Sequence, residues 1–193
     1  MKKWLVIALV VIVAVFTVMG SYNNLVQAEE EIDSVWANVE SSYQRRADLI
    51  PNLVNTVKGQ ANFEKETLTQ VIEARANASQ TKIDPANMTE QQLAEFQQSQ
   101  NQVGSALSRL LVTVERYPEL QANQGFMNLQ AQLEGTENRI NKARNDFNAA
   151  ARLYNQKVRQ FPTKLVAMLF GFKEKPYFKS SEGAENAPVV SFN

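Results

Sequence analysis

The chain has 193 residues and contains neither cysteine nor histidine. The missing cysteine excludes a disulfide framework, thiolate chemistry and a lipidated N-terminal Cys, and suits an exposed domain that cannot misoxidise. The missing histidine removes the commonest general base, the commonest zinc ligand and the His-containing di-iron sites of many four-helix bundles. There is no charge excess either: twenty Lys plus Arg balance twenty Asp plus Glu. Without a basic field the chain has nothing to hold nucleic acid, and without an acidic block it has no acidic tail. Glycine is sparse, at seven residues, and no strand pattern precedes a glycine-rich phosphate loop. Most enzyme classes are weakened by these absences alone.

What is present begins with a long apolar run. Residues 4–19 are apolar except for weakly polar Thr17, and a helix continued through Val26 measures about 33 Å, enough to span a bilayer. Lys2 and Lys3 precede the run, Trp4 and Phe16 lie in it, and Glu29, Glu30 and Glu31 follow. This asymmetry predicts a cytoplasmic N-terminus and a periplasmic or extracellular bulk. Residues 1–26 are therefore expected to be a single-pass anchor. A cleaved signal peptide is the competing reading, since Val26-Gln27-Ala28 offers small residues before Glu29. The length of the run and the gap opened by Tyr22, Asn23 and Asn24 argue against it.

Residues 27–162 read as one helical bundle. Ile32, Trp36, Val39, Tyr43, Ile50, Leu53 and Val57 alternate by four and three, with Arg46 in one slot of the stripe, a coiled-coil-like period. Leu93, Phe96, Val103, Leu107, Leu110, Val114 and Tyr117 repeat it with Gln100 in the gap, and Thr89 with Gln92 forms a capping box ahead of it. A third stripe runs through Phe126, Leu129, Leu133, Ile140, Ala143, Phe147, Ala150, Tyr154 and Phe161, with Thr136 and Lys157 as polar slots. Asp84-Pro85 and Tyr117-Pro118 separate these helices. A further helical pattern holds Leu68, Val71, Ile72 and Ala78. A turn near Gly59 makes it a separate helix and the fold an all-α, antiparallel four-helix bundle. A straight passage through Ala61 makes three long helices, the first of about 70 Å and kinked. Four helices are expected, because so long a rod would leave its end unpaired.

Residues 163–178 form an apolar C-terminal segment in which 165–172, ending in Phe170-Gly171-Phe172, are too short to cross a bilayer. Either the segment covers the end of the bundle, or it meets lipid headgroups or a neighbour through Phe170, Phe172, Tyr177 and Phe178, flanked by Lys164, Lys173 and Lys175. Residues 179–193 read as a flexible tail, in which Pro188-Val189-Val190-Ser191-Phe192 can add itself to a partner.

The densest polar cluster is Arg45, Arg46, Asp48 and Asn52 around Pro51, where a missing backbone donor is expected to kink the helix. Arg46, in an apolar stripe, needs a partner, with Glu73, Glu115 and Glu137 as candidates. A structural ion-pair network is the expected reading, and an anion gripped by Arg45 and Arg46 the alternative. No Glu-x-x-His pair exists, so neither a metal site nor a cofactor is expected, and every Ser, Lys or Asp that might build a hydrolytic centre equally suits a solvated helix face. No catalytic residue is assigned, and the chain is read as a non-enzyme.

Several strings resemble the LemA family of bacterial membrane-anchored helical proteins. They are Val35-Trp36-Ala37-Asn38-Val39-Glu40, Tyr43-Gln44-Arg45-Arg46-Ala47-Asp48-Leu49-Ile50-Pro51-Asn52-Leu53-Val54, Glu73-Ala74-Arg75-Ala76 and Glu115-Arg116-Tyr117-Pro118-Glu119-Leu120. Glu137-Asn138-Arg139-Ile140, Ala143-Arg144, Tyr154-Asn155 and Phe170-Gly171-Phe172 extend the similarity to all but the last dozen residues. The resemblance implies a four-helix extracytoplasmic bundle on one anchor and no established reaction. It also implies, by association only, an envelope partner such as a membrane zinc metallopeptidase. The expected function is thus a structural protein that forms a homo-oligomer or scaffolds envelope partners. A ligand-sensing bundle or a metallopeptidase adaptor is the alternative.

Overall fold

The computed structural model describes residues 2–59 and 63–179. Among these residues the chain is all helix, turn and extended coil, without a strand. Helix α1 runs unbroken over Lys2–Lys58, a rod of about 86 Å. No backbone break separates the apolar run from the bundle. Residues 2–20 are exposed on every side, and burial begins at Ser21 and Leu25. This helix is the one among the described residues that is long and apolar enough to cross a membrane.

The rod ends at Lys58, Gly59 is a turn, and a separate helix α2 occupies Lys65–Gln80. Residues 60–62, including Ala61, lie outside the described residues. A 3-10 turn over Pro85–Asn87 follows, capped by Asp84, whose carboxylate accepts from the Ala86 N–H. Helix α3 covers Glu90–Val114, the short α4 Pro118–Gln121 and α5 Gln124–Arg159. The expected capping box is present: the Gln92 N–H donates to Thr89 Oγ1 at 3.2 Å, and the Thr89 N–H donates to Gln92 Oε1 at 2.9 Å.

Contacts between distant residues set the directions. Lys157 reaches the Asn24 carbonyl, Phe147 meets Trp36 and Glu137 meets Arg46, so α5 descends along α1. Phe96 meets Trp36 and Gln100 meets Arg46, so α3 ascends beside α1. Arg116, just past α3, pairs with Glu64, just before α2, which descends. The result is an up, down, up, down bundle of α1, α2, α3 and α5, as expected from a turn at Gly59.

The core is in two parts. The part nearer the apolar run gathers Leu25, Ile32, Trp36, Phe96, Phe147 and Tyr154 among others. The far part gathers Ile50, Leu53, Val71, Leu107, Leu110 and Phe126 among others. One expectation fails at the foot of α5, where the helix ends at Arg159 and Phe161 stands 80 % exposed instead of extending the stripe. Pro162 explains it, because proline drives the preceding residue out of helical geometry.

The chain then forms helix α6, Thr163–Phe170, which packs Val166 and Ala167 inward. Gly171 ends it with φ of +80°, the left-handed cap that glycine adopts without strain. Residues 172–179 continue as an extended strap that climbs back along α5 and α3.

Candidate functional site

Three polar slots that interrupt separate apolar stripes belong to one layer. Arg46 is 3 % exposed. Its Nη1 donates to Glu137 Oε1 at 2.8 Å, and its Nη2 donates to both the Gln100 side-chain oxygen at 2.7 Å and the Gln100 carbonyl at 2.9 Å. Thr136, next to Glu137, is fully buried and returns its hydroxyl proton to the Gln132 carbonyl of its own helix. Gly104 leaves room beside the guanidinium, for a Cβ there would lie 4.0 Å from Arg46 Nη1. The layer falls between the two parts of the core. Of the three carboxylates named for Arg46, Glu137 is the partner, while Glu73 and Glu115 are exposed.

Sequence reasoning missed the neighbouring feature. Pro51 has no N–H to donate to Ala47 four residues earlier, so that carbonyl loses its helical partner. Arg75 of α2 supplies one, its Nε donating to the Ala47 oxygen at 2.7 Å. The helix therefore passes through Pro51 without a break. The signal was available in the string Glu73-Ala74-Arg75-Ala76, but nothing along the chain tells which carbonyl an arginine will meet.

The remaining cluster residues face solvent. Arg45, Asp48 and Asn52 are exposed, and Asp48 accepts from Gln44 at 2.7 Å. Arg46 is turned inward onto Glu137 and Gln100, whereas Arg45 stands at the surface.

A second polar centre lies under the strap. Lys175 is 4 % exposed, and its ammonium donates to the Pro85 and Ala86 carbonyls at 2.9 and 2.8 Å and pairs with Glu29 at 3.0 Å. Asn155 holds the same residue by its backbone, donating to the Lys175 carbonyl and accepting from its N–H, both at 2.8 Å. Asn148 repeats this pairing at Phe178. The Phe178 ring stacks on Trp36 and meets Phe147 edge-on. Of the tail residues singled out above, Phe178 and Lys175 are thus core, Tyr177 is exposed and its hydroxyl accepts from the Asn155 amide at 2.9 Å, and Phe170 and Phe172 meet the Tyr22 ring. Lys179 still belongs to the strap, its ammonium on Glu90; the remainder of the expected flexible tail, 180–193, lies outside the described residues.

Ionisable groups near this centre are perturbed. Burial raises the Asp33 carboxyl above its ordinary value; Lys175 opposes the shift, while Glu29, Glu30 and Asp84 reinforce it. Burial, with Glu29 adding to it, pushes the Tyr154 hydroxyl far up. Hydrogen bonds from Asn87 and the Ala86 N–H hold Asp84 below the usual carboxylate range. Among the described residues no group of three or more Asp or Glu is placed to hold a metal ion. An open groove of 920 Å³ between α2 and α3 is lined mainly by amides, including Gln70, Asn77, Gln97 and Asn101. Glu73, Arg109 and Lys179 also line it, with Lys179 paired to Glu90.

Lys2, Lys3, Trp4 and Phe16 lie on the exposed first third of α1, outside both polar centres.

The sequence model described as the LemA family matches residues 35–192, which is most of the chain and includes the Arg46 layer together with Asn155 and Lys175, but not Glu29. Magnetosome protein MamQ 1 of Paramagnetospirillum magneticum is 27% identical over 97% of this chain and 75% of its own length. Magnetosome protein MamQ of Magnetospirillum gryphiswaldense is 27% identical over 91% of this chain and 70% of its own. Protein LemA of Metamycoplasma hominis is 24% identical over 86% of this chain and 73% of its own.

Proposed function

This chain belongs to the LemA family, and on that premise we propose that it is a non-catalytic, membrane-anchored scaffold. Its bundle projects from the outer face of the membrane and gathers envelope proteins or further copies of itself. The observation that carries this reading is the unbroken helix Lys2–Lys58. A flexible linker would let a bundle tumble over the bilayer. A continuous helix that is anchor at one end and core at the other holds the bundle's faces at a set height above the bilayer. Lys2 and Lys3 before the apolar run favour a cytoplasmic N-terminus and an external bundle. Arg46 and Lys175, the two buried cations, are paired with Glu137 and Glu29 of the same chain, which suits a structural role better than a reactive one.

The bundle also carries isolated exposed apolar residues, among them Ile72, Val112 and Leu153, as contact points. Photo-crosslinking residues placed at these three positions in the full chain, activated in native membranes, provide the test. Discrete adducts with the chain itself or with a reproducible set of envelope proteins are expected. A chain that stays monomeric at all three positions and captures no protein would overturn the scaffold reading.

A further inference from the structure

The scaffold reading does not account for α6. Its inward side is closed by Val166 and Ala167, but Leu165, Met168, Leu169 and Phe170 stand exposed, joined by Phe161 just before it. Five large apolar side chains exposed within ten residues are more than a water-facing segment ordinarily carries. Their position says what covers them. The Phe170 and Phe172 rings meet Tyr22 edge-on at 4.9 and 5.7 Å, and Tyr22 lies one helical turn beyond Met19, where the apolar run of α1 ends. About 20 helical residues cross the ~30 Å hydrocarbon core, so a crossing that starts at Trp4 leaves it close to Tyr22. The Tyr22 contacts thereby hold α6 level with the end of the apolar run. Charge agrees with this placement: Lys164 and Lys173, at the two ends of α6, are exposed and make no ion pair among the described residues. Amphipathic helices that rest in the interface join an apolar face to flanking cations in this way.

We propose that α6 is a second membrane contact. It lies in the interface of the bilayer that α1 crosses, with Leu165, Met168 and Leu169 among the upper acyl chains and Lys164 and Lys173 at anionic headgroups. Two contacts, one crossing and one lying flat, fix the tilt of the rod where a single helix leaves it free. The inference is independent of what the bundle recruits.

The absence of cysteine makes the test direct, because any introduced thiol is unique. The full chain is reconstituted in vesicles of phosphatidylcholine and phosphatidylglycerol, with an environment-sensitive fluorophore on Met168→Cys, on Val10→Cys within the anchor, or on Asn128→Cys at the far end of the bundle. Lipids spin-labelled high on the acyl chain and an aqueous quencher then report depth. With the Val10 label quenched from the bilayer centre and the Asn128 label only from water, the expected Met168 label is quenched by the shallow lipid probe and shielded from the aqueous one. Adding Leu165→Glu and Leu169→Glu should reverse that pattern several-fold while leaving helicity and the Val10 signal unchanged. A Met168 label as open to water as the Asn128 label would overturn the proposal. So would shielding that depends on protein density and comes with energy transfer between copies, since the patch would then be covered by a second chain.

Discussion

Arg46 shows how a single residue can be costly and still be kept. Its guanidinium is buried, but Nη1 donates to Glu137 and Nη2 to Gln100, and a buried charge held by such partners is most destabilising when one of them is taken away. Arg46→Ala is expected to lower stability by about 2–3 kcal/mol, because Gln100 loses its partner and a cavity opens, while half-exposed Glu137 is rescued by water. Arg46→Lys should recover little, since an ammonium cannot serve two acceptors in the geometry of the planar fork. Thermal or urea unfolding of the bundle checks both. Asp33 is the opposite case. Its Oδ1 is buried without a hydrogen-bond partner among the described residues, and its carboxyl value is raised by burial. The folded chain therefore holds that proton more tightly than the unfolded chain does. The cost of ionising Asp33 is absent below the ordinary value of 3.8 and fully present once pH exceeds the raised folded value. Asp33→Asn is expected to be the more stable protein at pH 7, with the advantage shrinking as pH falls toward that ordinary value. Melting curves across that range test it, and a less stable variant at pH 7 would show that attraction to Lys175 outweighs burial.

At the scale of elements, helix ends and the strap carry separable amounts of stability. Thr89→Ala removes the side-chain half of the capping box and should cost about 1 kcal/mol, visible as a lower melting temperature without loss of helix elsewhere. The strap matters more. Phe178 fills a slot against Trp36 and Phe147, so Phe178→Ala should cost about 3 kcal/mol and open Trp36 to solvent. In a Trp4→Phe background, Trp36 emission would shift to the red. An unshifted spectrum would mean that the strap does not seal the core in solution. The same contacts make α6 and the strap one unit, held at one end by Tyr22 and at the other by Glu90.

For the whole molecule, the layer of Arg46, Gln100 and Glu137 separates a lower from an upper core in a bundle whose stripes would otherwise slide past one another with little penalty. Isolated polar residues in repetitive apolar seams are a recognised means of fixing register. Replacing all three residues by leucine should leave the melting temperature unchanged or raise it, since apolar substitutes often outperform buried ion pairs. The expected loss is in alignment. A short crosslinker between cysteines at positions 24 and 157, which the fold brings together, should react efficiently in the parent and heterogeneously in the apolar variant. Uniform reaction in both would assign register to the strap and turns instead.

Much was determined by sequence alone. Absence of cysteine and histidine, the apolar run beside Lys2 and Lys3, and three stripes of matching period follow from local composition and spacing, which a helix converts directly into faces. Those features settle helix type, the break at Tyr117-Pro118 and most core positions of α1, α3 and α5, though not Leu25, Leu49, Val54, Ala151 or Val158. Only the tertiary structure decided that the slots at Arg46 and Gln100 stand at one height, that Glu137 rather than Glu73 or Glu115 closes the pair, and that Arg75 answers the carbonyl freed by Pro51. It also separated residues alike in the sequence: Phe178 went into the core while Phe161 went to the surface. The physical reason is that periodicity specifies which way a side chain points around its own helix, but carries no information on the axial offset between helices. That offset is set when the turns and the strap close, and it determines which polar groups find one another.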